Sequence, residues 1–422
     1  MRRSGRRLHL YEVGVRWPPE TFVGWKLEGL AARGMRVTVA SKRVQDPHAR
    51  LSGVELVAIP RRPRGIAAGR IIARHGLALL ISAPRRVVKL VRGIRRHAPA
   101  GVRKRYGGMI GLLAMCLPLA RFRPDLVKFE WNTTATDYLP LFDVWGCPVV
   151  TSCRGSDTSV YPHIPGLERY AVRLPEVMKK ASAVHCISAS VRREALRFGL
   201  APAKARVIRP GVDPELFRPA AGNTARGVAP DGVLGVVMVG WLRWEKGYEY
   251  ALEALRGLVD RGAPTHLEII GAVPSEQWRG TLGERERILH TAADLGLQRY
   301  VHLRGQASSV DISRRLQASD VLLHSSVSEG IPAAIVEAMA CELPVVATNC
   351  GGVSEAVTDG VEGFLVTPRE PEHLAEALFR LWQDPALRRR MGAAGRARVL
   401  SEFTLEHEHA AFVEMYREVI GG

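Results

Sequence analysis

Short apolar runs alternate with helical segments along this 422-residue sequence, in two successive blocks. In the first block, RLHLYEV (7–13) leads to a helical stretch around Thr21–Arg33 and then to MRVTVAS (35–41). After a long basic interruption come PDLVKFE (124–130), CPVVTSC (147–153), ASAVHCIS (181–188) and ARVIRPGVD (205–213). In the second block VLGVVMVG, HLEIIG, YVHLRG, SDVLLHSS, LPVVATNC and GFLVTP are again separated by helical spans. Short runs that are apolar almost throughout belong to strands buried on both faces, as in parallel sheets covered by helices. The pattern therefore predicts an α/β chain with two doubly wound parallel sheets. The length exceeds what one hydrophobic core usually organises, which agrees with two domains. Residues 214–232, PELFRPAAGNTARGVAPDG, read as a linker between domains at 1–213 and 233–400. Residues 401–422 read as a C-terminal helix returning toward the first domain.

Ligands of doubly wound sheets bind beyond the carboxyl ends of the strands, so polar residues just past the apolar runs are the candidate site. SEGIPAAIVEAMA (328–340) follows such a run and carries two glutamates, Glu329 and Glu337, eight positions apart. Pro332 suits a first helical turn, where its missing N–H costs nothing. A helix from Pro332 to Cys341 is apolar on every side except at Glu337. A helix of that kind is buried, and a buried carboxylate needs partners. The amides of Ala333 and Ala334 would stand free at the helix start, a ready anion site. Glu337 can accept hydrogen bonds from a pair of ribose hydroxyls, as acidic residues do in other nucleotide sites. Upstream, VVMVGWLRWEKGYEYALEAL (236–255) reads as strand, turn and helix, with Arg243 and Lys246 projecting from the turn. Two cations in that crevice can hold a diphosphate. In TNCGGVSEAV (348–357), Gly351 and Gly352 mark a place where backbone comes close to something. Taken singly, each feature also fits an ordinary turn, a solvated cation or a loop carboxylate.

Together these segments resemble the donor domain of family-four nucleotide-sugar glycosyltransferases, the retaining GT-B group. The resemblance rests on EGIPAAIVEAMA, on LPVVATNCGGVSEAVTDGVEGFLV and on VGWLRWEKG. In the first half, PPETFVGWKLEGLAARGMRVTVAS is similar to the opening of the exopolysaccharide branch of that family, and SCRGSD and IRPGVDPELFRP occupy the places of further family segments. The resemblance implies two Rossmann-like domains facing a central cleft. It also implies transfer of a sugar, with retained configuration, from a nucleotide-diphosphate sugar to a saccharide or lipid-linked acceptor in cell-surface polysaccharide synthesis. Glu329 would contact the donor sugar, with the Gly330 and Ile331 amides beside it. The Ala333 and Ala334 amides would touch the diphosphate, Glu337 the ribose, and Lys246 the leaving group. Trp241 stands where the family has an arginine, so Arg243 would serve from two residues on. Arg154 stands where many members place a histidine near the sugar. No Asp-x-Asp pair occurs in the chain, and the expected chemistry needs no metal and no cofactor. A GT-B phosphorylase or nucleotide-sugar epimerase is the rival reading within the fold. A non-enzymatic basic surface binder is the rival outside it.

Charge separates one region from the rest. Between Glu55 and Asp125 there are sixteen Lys or Arg and no acidic residue, which leaves only +2 of the formal +18 for the remainder. In RRVVKLVRGIRR the cations are interleaved with Ile, Leu and Val at helical spacing. That fits a helix lying on an anionic membrane surface, with residues 56–124 as a membrane-facing insert. A solvated helix face is the plain alternative. Nucleic acid is not expected, because only Tyr106 and Phe122 are available there for base stacking. No apolar run reaches bilayer length, and the longest candidate, MIGLLAMCLPLA (109–120), is both short and broken by Pro118. The basic N-terminus reads as a lead into a first strand rather than a signal peptide. The six cysteines include no CxxC pair and fit buried thiols in a reducing compartment. These features predict a cytoplasmic enzyme, peripheral on the inner face of the cell membrane.

Overall fold

The computed structural model describes residues 7–61, 63–97, 108–220, 232–273 and 283–421. They fall into two compact units: Met1–Ile187 with Val191–Ile208 and His409–Gly422, and Ser188–Ser190 with Arg209–Glu408. The central part of the expected linker, 221–231, lies outside the described residues.

The first unit is built on seven parallel strands: β1 (His9–Val13), β2 (Arg36–Ser41), β3 (Val54–Ala58), β4 (Leu126–Phe129), β5 (Val149–Cys153), β6 (Ala183–Cys186) and β7 (Ala205–Val207). Their order is β3-β2-β1-β4-β5-β6-β7, with Tyr11 of β1 opposite both Thr38 and Val127. The chain moves outward through β2 and β3 and then restarts at β4, so the order reverses between β1 and β4. Strand β3 is absent from the sequence reading. Its VELVA segment is half-exposed along its length, as an edge strand can be, and carries Glu55 in the middle. The last helix, Leu405–Gly421, places Phe412, Met415 and Tyr416 in this unit's core beside Leu10, Trp17 and Leu27.

The second unit has six parallel strands: β8 (Leu234–Val239), β9 (Thr265–Ile270), β10 (Val301–Gly305), β11 (Val321–His324), β12 (Val345–Thr348) and β13 (Gly363–Val366). The order β10-β9-β8-β11-β12-β13 reverses between β8 and β11. The turn after β8 and the loop after β11 therefore leave neighbouring strands at a switch point, where doubly wound sheets hold ligands. Two α/β units with wholly parallel sheets agree with the fold expected from the apolar alternation.

The basic region departs from its expected role. Helix Pro84–His97 has the anticipated amphipathic pattern, yet Leu90, Ile94 and His97 are buried within the first unit. A Cβ at Gly93 would stand 2.6 Å from the Pro140 carbonyl oxygen, so this face lies hard against protein. Arg86 donates to the carbonyls of Ala120, Phe122 and Trp145 at 3.0–3.1 Å, a structural role rather than a lipid-facing one. The apolar face of this helix is thus mostly core, with Val88 alone of its large apolar residues exposed. The expectation that no segment reaches bilayer length is also corrected. Gly65–Ser82 is a continuous 18-residue helix, through a π-helical turn at Ile72–Gly76, and is long and apolar enough to cross a membrane by length and composition. Arg70, Arg74 and His75 interrupt its apolar run in the sequence and hide it from a search for uninterrupted stretches. All six cysteines are free thiols, with Cys147 half-buried and the rest buried.

Candidate functional site

Strand β8 ends at Val239, and a single 3-10 turn, Trp244–Lys246, leads through Gly247 into helix Tyr248–Asp260. Gly247 sits at φ 61°, and a Cβ there would lie 2.4 Å from the Ser325 carbonyl oxygen. Only glycine therefore lets this turn press against the end of β11. Ser325 secures the contact, its hydroxyl donating to the carbonyls of Lys246 and Gly247 at 3.0 and 2.8 Å. The Val327 amide adds a bond of 2.8 Å to the Glu245 carbonyl. These contacts bring Lys246 to Glu329, with Nζ 2.6 Å from Oε1.

His324, the last residue of β11, completes the cluster. Its Nε2 lies 3.0 Å from Glu329 Oε1 and 3.0 Å from Ser326 Oγ. Burial pushes the Glu329 carboxyl up, but the Lys246 ammonium and the His324 hydrogen bond outweigh that and hold it well below the usual range. Burial lowers the His324 imidazole below its ordinary value despite Glu329. The carboxylate is therefore ionised and fixed by two donors.

The main chain after Glu329 is held as closely. A Cβ at Gly351 would fall 1.8 Å from the Glu329 carbonyl oxygen, and one at Gly352 2.2 Å from that of Gly330. The close approach inferred for this glycine pair is thus to the glutamate loop itself. Gly330 and Ile331 are buried, and Pro332 caps helix Ala333–Ala340. The first amides of a helix have no acceptor within it, and here they belong to exposed Ala333 and buried Ala334. One turn on, Glu337 is half-buried, with no ion pair or side-chain hydrogen bond to any described residue. Desolvation alone pushes its carboxyl up to about 7. Among the described residues no protein group supplies the partner that a buried Glu337 calls for.

Arg243, expected to stand in for the arginine missing at Trp241, pairs with buried Glu245 in its own turn, and Trp241 is exposed. Among the described residues no group of three His, Cys, Asp or Glu side chains is placed to hold a metal. Sequence reasoning missed His324, Ser325 and Ser326. Their signal was three polar residues closing the otherwise apolar run VLLHSS at the carboxyl end of a strand.

Arg154 belongs to the first unit, just past β5. Its Nε donates to Glu130 Oε1 at 2.6 Å, and its guanidinium lies over the Phe22 and Trp131 rings at 4.4 and 5.8 Å. Beneath it Glu130 also pairs with Lys26, and Lys26 lies 3.6 Å from Glu12. Glu12, Lys26, Lys128 and Glu130 are all fully buried. Desolvation brings the Lys128 ammonium down to about 8. The sequence reading singled out Arg154 and nothing of the network that holds it.

Comparison with known proteins follows this division. Residues 225–398 match the family described as Glycosyl transferases group 1, and residues 20–216 match Glycosyltransferase Family 4. The amylovoran biosynthesis glycosyltransferase AmsK of Erwinia amylovora is 32% identical over 297 residues, 69% of this chain and 68% of AmsK. A D-inositol 3-phosphate glycosyltransferase of Streptomyces bingchenggensis is 31% identical over 229 residues, covering 53% of this chain and 50% of that protein. The chain thus spans about half the length of that relative. Among solved structures, sucrose-phosphate synthase from Thermosynechococcus elongatus superposes with a TM-score of 0.74 at 21% identity, covering 98% of this chain and all of the other. Anabaena HepE in complex with UDP-glucose gives 0.67 at 18% identity, covering 98% and 99%. Both structures share the GT-B fold with this chain.

Proposed function

The chain belongs to the glycosyltransferases of group 1 and family 4, and on that premise we propose that it moves a sugar from a nucleotide-diphosphate donor to a saccharide or lipid-linked acceptor. The observation that carries the reading is the Lys246–Glu329–His324 cluster at the switch point, with Glu337, one turn into the helix that follows, paired with no described residue. In this reading Lys246 and the Ala333 and Ala334 amides hold the diphosphate. Glu329, with the Gly330 and Ile331 amides, faces the donor sugar, and Glu337 takes the ribose hydroxyls. Arg243 steadies the turn that carries Lys246.

Transfer proceeds with retention. The bond from the anomeric carbon to the diphosphate oxygen breaks as the acceptor oxygen bonds to the same face. The acceptor proton passes to the departing diphosphate, whose charge Lys246 and the helix amides stabilise. The protein supplies no nucleophile, and neither metal nor cofactor takes part. The UDP-glucose complex of HepE supports a nucleotide-sugar donor, and the amylovoran role of AmsK supports cell-surface polysaccharide synthesis. A phosphorylase or epimerase is not favoured, since the matched relatives are glycosyltransferases. The +16 region supports work at an anionic membrane surface, peripheral and on the cytoplasmic side, rather than on nucleic acid. Mass-spectrometric screening of nucleotide sugars tests the reading. Release of nucleoside diphosphate with glycosylated acceptor supports it, and nucleotide-sugar isomerisation or phosphate-dependent cleavage refutes it.

A further inference from the structure

The helix Gly65–Ser82 turns two kinds of residue outward. Ala68 and Leu79 are buried, and Gly76 packs near Leu117 of helix Gly108–Ala120. On the opposite side Ile66 and Ile81 are 78% and 77% exposed, Leu77 61% and Leu80 53%. Four large aliphatic side chains open to water on one short helix form a patch that soluble surfaces rarely keep without a use. Arg70 and Arg74 share that exposed side. The neighbouring helix Pro84–His97 adds exposed Lys89 and Arg92, and no acidic residue occurs in the sequence from 56 to 124. An aliphatic face flanked by cations alone matches a surface that is apolar inside and anionic outside.

We propose that Gly65–Ser82 is an in-plane anchor that sinks Ile66, Leu77, Leu80 and Ile81 into an anionic phospholipid surface. The inference rests on the membrane reading above and names the element that makes the contact. It replaces the apolar face of helix Pro84–His97, whose Leu90 and Ile94 the core has already taken. A second copy of this chain fits less well, because a symmetric pairing would set two cation bands against each other. Crossing the bilayer fits poorly as well. Arg70 and Arg74 would have to enter the hydrocarbon, where a guanidinium is costly, and Ala68 and Leu79 would leave their core. An interfacial position satisfies both faces, with aliphatic tips inserted shallowly and guanidinium groups among the phosphates.

The test is sedimentation with vesicles of phosphatidylglycerol and phosphatidylcholine, or of phosphatidylcholine alone. It compares the full chain with a Leu77→Ser, Leu80→Ser, Ile81→Ser variant. A second variant carries Gln at Arg85, Arg92, Arg95 and Arg96, and leaves Arg86 because its guanidinium holds three carbonyls. The full chain is expected to bind only the anionic vesicles, and less as salt rises. The serine variant should lose about tenfold or more in partitioning with an unchanged melting temperature, since the replaced side chains are exposed. The glutamine variant should lose its salt-dependent part. Serine substitutions that leave binding at the wild-type level overturn the anchor while the membrane reading stands. A full chain that ignores anionic vesicles overturns both. A concentration-dependent dimer abolished by the serine variant, without vesicle binding, shows a protein interface instead. Protein that resists alkaline carbonate extraction from membranes shows a spanning helix and also overturns the proposal.

Discussion

Glu337→Gln separates what the candidate site contributes to binding from what it costs in stability. The carboxyl is raised from 4.5 to about 7 by desolvation, with no cation or donor to offset it. At about 1.4 kcal/mol per pH unit, ionising it in the folded protein costs about 3 kcal/mol, and nearer 2 kcal/mol once its partial exposure is allowed for. Because the folded state holds this proton more tightly than the unfolded state, stability falls as pH rises from 4.5 to about 7 and then levels off. Gln removes that slope and adds one desolvated amide. The variant should match wild type near pH 4 and be about 1–2 kcal/mol more stable at pH 8. Denaturant melts of ligand-free protein across this range measure the difference. Calorimetry with a nucleoside diphosphate on the same samples should show binding weakened by about tenfold or more, the loss of a charge-assisted bond to hydroxyls. Stability curves that superimpose at every pH would refute the unpartnered carboxylate. Unchanged affinity would refute its role toward ribose.

Lys246→Ala should weaken nucleoside diphosphate binding by about tenfold or more and slow transfer further, read by calorimetry and by initial rates. Wild-type affinity in that variant removes Lys246 from the diphosphate site. Turnover should persist in excess chelator, and complete loss restored by Mg²⁺ or Mn²⁺ would overturn the metal-free mechanism. Arg154→Ala leaves buried Glu130 with Lys26 and Lys128 alone and should cost about 2–4 kcal/mol in a denaturant melt. A neutral result would mean that the ion network does not depend on Arg154.

The second unit was readable because its signals are local. Lys246, Glu329, Ala333 and Glu337 each sit at a fixed distance from a strand end or a helix start, and one dimension suffices to place them. His324 escaped because its role comes from β11 lying beside β8, a pairing that spacing alone does not reveal. Arg154 drew notice in the sequence for its position, whereas its restraint by Glu130, Lys26 and Glu12 joins residues more than a hundred positions apart. Strand β3 was missed for a different reason. An edge strand is half-exposed, so VELVA lacks the continuous apolar run that marked its neighbours.

The basic region shows where periodicity stops being informative. An amphipathic helix repeats its apolar residues every three or four positions whether they meet protein or lipid, because the pattern reports a face and not what covers it. Helix Pro84–His97 has the cleaner pattern, and its Leu90 and Ile94 are spent on the core. Helix Gly65–Ser82 has the poorer one, since adjacent apolar residues such as Ile71-Ile72 and Leu79-Leu80-Ile81 do not keep to one face. Its exposed residues at 66, 77, 80 and 81 lie on the side opposite buried Ala68 and Leu79. A sequence scan at fixed helical spacing therefore ranks the two helices in the wrong order for contact with lipid. Burial reverses the ranking, because a side chain already buried in protein has no apolar surface left to offer a membrane.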